Sequence, residues 1–183
     1  MRSGRRLALA LLVAGLTAAG AWGLGRREAP AAEPAFVTYR GTSMATTIAV
    51  TLPAGPSAEA DAGAVLAVFD EVDARMSEWK DTSPLAAVNR AAGIAPVPVP
   101  ADLRQVLARA KRIGHATDGA FDVTWAALWG LWDFKAADPR LPPAAEVARR
   151  AALVDYRQLE LDADAGTAYL PRPGMTIGLG GIA

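Results

Sequence analysis

The chain has no cysteine and a single histidine, His115, among its 183 residues. The missing cysteine removes disulfides, thiolate metal sites and a cysteine nucleophile from consideration. It leaves the compartment open, because exported proteins do without disulfides too. A lone histidine with no Cys or His partner argues against a zinc centre, and His115 reads as a cation near the C-terminus of a helix. Neither Ser43 nor Ser83 sits in a nucleophile elbow or has a histidine at motif spacing, which discounts a hydrolase triad. Basic stripes are also missing. Lys and Arg number 19 against 19 acidic residues, but Arg2, Arg5, Arg6, Arg26 and Arg27 fall in the first 27 positions. The remainder therefore carries 14 basic and 19 acidic residues, a net of −5. A body of that charge makes a poor nucleic-acid binder, since neutralising phosphates needs a basic face.

What is present begins with a leader. Three arginines precede Leu7–Gly25, which is uncharged throughout, and Arg26-Arg27 closes the run. A basic start and an apolar segment of this kind is expected to be a signal peptide or N-terminal membrane anchor over 1–25. Ala19-Gly20-Ala21 and Ala29-Pro30-Ala31 are candidate cleavage sites, and Arg5-Arg6 reads as an ordinary pair of leader arginines. Residues 26–35, rich in Ala and Pro, read as a linker. The expectation is an exported, periplasmic protein, free or anchored to the inner membrane.

The rest reads as one α+β unit over 36–183, a mostly antiparallel sheet with packed helices. β-Branched and aromatic residues predict strands at 36–42 and 45–52. Val65, Phe69, Val72 and Met76 recur at helical spacing and predict an amphipathic helix over 58–76. Ser83-Pro84 is a cap followed by a first-turn proline, opening a short helix to Arg90. The prolines of "GIAPVPVP" impose an extended run, and Leu103, Val106, Leu107, Ala110 and Ile113 mark a helix over 101–116. "GAFDVTW" reads as a strand, "AALWGLWDF" as a short apolar helix or buried loop, and Pro142-Pro143 as the start of a helix to about 153. "RQLELDADAGTAYLP" predicts a hairpin, and "MTIGLGGIA" a strand running into glycines. Gly178 to Ala183 matches a dinucleotide fingerprint by letter, but no helix follows in the sequence. The expectation is that the chain is a piece of a longer one.

Four ordered stretches carry a resemblance: "RGTSMATTIAV", "MSEWKDTSPLAAVN", "TDGAFDVTWAALWGLWDF" and "PGMTIGLGGIA". Together they resemble the ApbE family, the FAD:protein FMN transferases. The resemblance implies binding of FAD and Mg²⁺ and transfer of FMN to a threonine hydroxyl of an exported or membrane redox subunit. The bond formed would be a phosphoester and the product released AMP, through in-line displacement at a pyrophosphate phosphorus. There are departures. Gly178 stands where the family pattern has aspartate, Ala45 where it has glycine, and Trp79 where tyrosine is common. The lysine-glycine after Ala183 and the half carrying the metal-binding aspartate and threonine are not in the sequence.

The resemblance also implies roles for residues, each beside a plainer one. Trp79 would form a flat wall for the isoalloxazine ring, or else pack as a boundary tryptophan on a helix end. Met44 would pad the flavin, or else belong to strand core. Ala120, Phe121 and Asp122 would lie along the FAD. On a strand, alternation would turn Asp122 toward a polar pocket; the alternative is a carboxylate that accepts backbone N–H groups to hold a turn. Trp125, Trp129 and Trp132 are expected in the core, behind the site. Gly180 and Gly181 would allow close backbone approach to the cofactor, or else serve as turn glycines. No general base or metal ligand is assigned. The alternatives to a transferase are a flavin-binding or FAD-hydrolysing protein on the same scaffold, or an inactive truncated product.

Overall fold

The computed structural model describes residues 35–182. The leader and most of the linker lie outside the described residues, and no helix among those described is long and apolar enough to cross a membrane. Among the described residues there are two antiparallel sheets and four α-helices, in agreement with the expected α+β class.

Strands β1 (Phe36–Ser43) and β2 (Thr46–Pro53) pair from Phe36↔Pro53 to Ser43↔Thr46. The two residues between them, Met44 and Ala45, both adopt positive φ, 51° and 57°. This is the handedness that a two-residue hairpin needs to match strand twist. Helix α1 (Ala58–Met76) lies across both strands. Gly41 lets it approach, since a Cβ there would stand 2.9 Å from Leu66 Cδ2. The helix forms over the predicted span, but its apolar stripe is only partly covered: Val65, Val68 and Phe69 remain exposed, and Ala58 and Ala62 are its buried residues.

The core lies beyond α1. Helix α2 (Pro84–Arg90) contributes Leu85 and Val88, and α3 (Ala101–Ala116) contributes Leu103, Leu107 and Ala110. Against them pack Val123, Tyr156, Leu159, Leu170, Met175, Ile177 and Leu179. The Tyr156 ring rests on Gly114 of α3, where a Cβ would meet it at 2.8 Å. Strand β3 (Val97–Pro98) pairs with β5 (Thr167–Tyr169), which also pairs with β4 (Glu160–Asp162), all antiparallel. Helix α4 (Ala144–Ala151) begins after Pro143, as the proline pair predicts.

Two predicted strands are not there. "GAFDVTW" is a turn with one bridge, Trp125↔Thr176. The Asp122 carboxylate organises it: Oδ1 accepts from Thr124 N (2.7 Å) and Thr124 Oγ1 (2.6 Å), and Oδ2 accepts from Tyr156 N (2.8 Å). Side-chain acceptors for nearby N–H groups compete with ladder formation, and here they win. In "MTIGLGGIA", 180–182 are a turn, and Met175–Leu179 forms no strand beyond the single bridge at Thr176. Its neighbours are a side chain and a turn: Asn89 Nδ2 donates to Ile177 O (3.0 Å), Ile177 N donates to Asn89 Oδ1 (2.8 Å), and Gly178 N donates to Val123 O (3.0 Å).

Replacing Asn89 with Ala removes both Ile177 bonds and leaves a desolvated backbone N–H. The expected loss is about 2–3 kcal/mol in urea denaturation. A loss below about 0.5 kcal/mol would show that water takes over both partners.

Candidate functional site

The loop between α1 and α2 is fixed before it carries anything. Ser83 Oγ accepts from Ala86 N (3.0 Å) at the start of α2 and donates to Ser77 O, so one hydroxyl closes both ends of the loop. Pro84 follows at the first helical position, where its missing N–H costs nothing. The closed loop presents Glu78, Trp79 and Lys80. Lys80 is tied back to Asp73 of α1 at 2.6 Å.

Trp79 is 70% exposed. Its indole meets Trp129 edge-on, with centroids 5.1 Å apart and planes at 72°. Trp129 in turn contacts Trp125 at 5.0 Å. The tryptophans of this stretch are thus not buried as expected. Trp125 is 38% and Trp129 44% exposed, and Trp132 is half-buried. The physical reason is local: the 3₁₀ turn Ala126–Leu128 buries its alanines and turns the large rings outward.

Two clefts flank this wall. The first, about 520 Å³, lies between the hairpin turn (Met44, Ala45), the end of α1 (Val72, Met76), the closed loop (Ser77 to Lys80) and Leu179-Gly180. The second, about 440 Å³, lies on the far side of Trp79 and includes Asn89, Arg90, Trp129, Arg149, Arg150 and Thr176. Its rim is cationic and ordered. Arg149 and Arg150 both bind Glu146, holding its carboxyl down to about 2, and Arg150 also donates to Trp129 O at 2.7 Å.

Glu78 belongs to both clefts. Burial pushes its carboxyl up, with the Trp129 side chain and the Leu179 backbone acting in the opposite direction. Its Oε2 is buried with no partner.

The structure brings three of the sequence-derived residues to one cleft: Met44, Trp79 and Gly180. Met44 is not strand core but the exposed tip of the turn, 44% accessible. Ala120, Phe121 and Asp122 line neither cleft. Asp122 does not alternate toward a pocket, because no strand forms there and its oxygens are taken by Thr124 and Tyr156. Gly181 lies beside Phe121, whose ring would sit 3.6 Å from a Cβ at 181. His115 is exposed in the last turn of α3. Among the described residues, no group of three or more His, Cys, Asp or Glu is placed to hold a metal ion. Sequence reasoning missed Glu78, Asn89 and the Arg149–Arg150 rim. For Glu78 a signal existed in the bare Gly178, since an absent side chain leaves room for another.

The model of the ApbE family matches residues 44–183. An FAD:protein FMN transferase of Haemophilus influenzae is 32% identical over 122 residues, covering 64% of this chain and 35% of that protein. One of Salmonella typhimurium is 29% identical over 157 residues, 81% of this chain and 45% of the relative. Among solved structures, the flavin transferase ApbE of Vibrio cholerae superposes with a TM-score of 0.71 at 24% identity, over 80% of this chain and 48% of its own. The ApbE protein of Thermotoga maritima gives 0.71 at 21% identity over the same shares, 80% and 48%. The chain spans less than half the length of these relatives.

Two outcomes are expected. Ala45 at φ 57° carries about 1–2 kcal/mol of left-handed strain, and glycine costs about 0.5–1 kcal/mol in chain entropy. Ala45→Gly should therefore stabilise the hairpin by about 0.5–1 kcal/mol, seen as slower amide exchange around Ile48; faster exchange would contradict it. For Glu78, a raised folded-state pKa gives stability that is complete below the unfolded value and lost as pH rises through the folded one. Glu78→Gln removes that titration. The urea midpoint of the wild type should fall relative to the variant as pH rises above the ordinary carboxylate range, whereas a constant difference would mean that Glu78 titrates normally.

Proposed function

Since this chain belongs to the ApbE family, we propose that it supplies the flavin-holding part of an FAD:protein FMN transferase. The observation that carries the reading is the cleft of about 520 Å³ that Met44, Trp79 and Gly180 share. It lies within the size range of small-molecule sites, and its chemistry suits a flat, polarizable ring. Trp79 offers an aromatic face, Met44 a thioether, and Gly180 a backbone without a side chain in the way.

On this reading the residues here bind and orient, and the loop closed by Ser83 keeps the indole in place before the ligand arrives. The reaction joins a threonine Oγ of an acceptor protein to the FMN phosphorus. The P–O bond to the AMP phosphate breaks, and the hydroxyl proton leaves with the departing group or to solvent. Displacement of this kind depends on positioning nucleophile and leaving group in line. Mg²⁺ is part of the proposal. The described residues provide no cluster for it, so no step is assigned through it. The acceptor is a redox-complex subunit. The proposal includes export, to the periplasm or the inner membrane, on the strength of the basic and apolar leader sequence.

The test is to join the chain to the second half of a family member, incubate it with FAD, Mg²⁺ and a threonine-bearing acceptor, and weigh the acceptor; residues 1–183 alone are expected to bind FAD without transferring FMN. An FMN-sized mass gain is the expected result. AMP release with an unmodified acceptor would favour FAD hydrolysis, and neither product would leave the chain without the activity. Within the reading, Trp79→Ala should weaken FAD binding about tenfold, or about 1.4 kcal/mol. An exposed residue should cost under about 0.5 kcal/mol of stability. Unchanged affinity would sink the stacking role.

A further inference from the structure

The wall between the two clefts has an unusual construction. A Cβ added at Gly178 would come within 2.7 Å of Glu78 Oε2 and 3.1 Å of Ala126 Cβ. Gly178 has no positive φ, so space rather than backbone conformation is what asks for glycine. The occupant of that space is a carboxylate from a different segment, the closed loop after α1. It packs into the gap at Gly178 beside Ala126, and the loop itself is fastened by Ser83. One of its oxygens is buried with no partner. A buried carboxyl oxygen without a partner is costly, so it stays only where the space at 178 is kept open for it. The group belongs to both clefts and is adjacent to Trp79 in the chain.

We propose that Glu78 and Gly178 are a complementary pair: Gly178 leaves the room in which the Glu78 carboxyl seats, and the seated Glu78 is a positioning residue that fixes the Trp79 loop against the glycine segment for the bound flavin nucleotide. The ligand half of this inference rests on the flavin reading above; the pairing half rests on packing alone. A carboxylate attached at 178 would enter the same volume. The two positions should therefore exchange the function, with one carboxylate accommodated and two in conflict.

The experiment compares the full chain with Glu78→Ala, Glu78→Gln, Gly178→Asp and the double Glu78→Ala/Gly178→Asp. Urea midpoints are measured without ligand, and FAD binding is followed by quenching of indole emission. Expected are a tenfold or greater loss of FAD affinity in Glu78→Ala and retention within about threefold in Glu78→Gln, which keeps shape and hydrogen bonding. Gly178→Asp alone should lower both midpoint and affinity, and the double should recover affinity to within about threefold of wild type. Wild-type affinity in Glu78→Ala, or a double no better than its worse single, overturns the proposal. If Gly178→Asp does not fold, Gly178→Ala replaces it: its midpoint loss should shrink in the Glu78→Ala background, and an undiminished loss overturns the pair. Should the wild type bind no FAD, the flavin reading fails, while the midpoints still decide the pairing.

Discussion

One side-chain amide holds the site to the core. Asn89 bonds both the N–H and the C=O of Ile177, as a neighbouring strand would. It does so from α2, the helix whose cap also closes the loop bearing Glu78 and Trp79. The glycine segment and the aromatic wall are thereby referred to the same short helix. Backbone groups in a buried segment must find partners, and with no ladder on this side the amide and the Val123 carbonyl supply them. Remove either and Leu179, Gly180 and the floor of the first cleft lose their fixed height.

A second polar node complements the first. Asp122 and buried Thr124 stitch the turn before the tryptophans to the segment 155–156, with Thr124 Oγ1 accepting from Asp155 N at 2.8 Å. This explains why a carboxylate stands among apolar residues: it organises backbone where no regular element forms. The tryptophans that follow are carried outward as a contiguous aromatic surface. The two nodes meet at the glycine segment, Asn89 through Ile177 and the Asp122 turn through the Val123 carbonyl that accepts from Gly178 N.

Much of this was legible from residue order. Helical spacing located α1 and α3, Ser83-Pro84 located the start of α2, and the β-branched run located the hairpin. Met44, Trp79 and Gly180 were named together and share a cleft. What pattern could not give was anything set by a side chain bonding distant backbone. Asn89 and Ile177 are 88 positions apart, and no periodicity links them. The same holds for Asp122 and Tyr156. The false strand at 119–125 came from reading Phe121, Val123 and Trp125 as alternation, when the intervening Asp122 and Thr124 bond each other. The outward tryptophans were misplaced because large aromatic rings are core residues on average, while here the small alanines of the 3₁₀ turn take the inside.

Gly114, the last buried position on the α3 packing face, shows how such constraints limit change. Glycine is a poor helix former, about 1 kcal/mol worse than alanine, and an engineer seeking a sturdier protein would replace it first. The Tyr156 ring, with Cγ at 2.8 Å and both Cδ atoms at 2.9 Å from where a methyl would go, forbids that. Tyr156 is also the residue whose N–H Asp122 grips, so the ring cannot slide away without loosening the turn before the indoles. A weakness in one helix is thus the fixed point of a distant loop, and stabilisation of this molecule has to begin elsewhere.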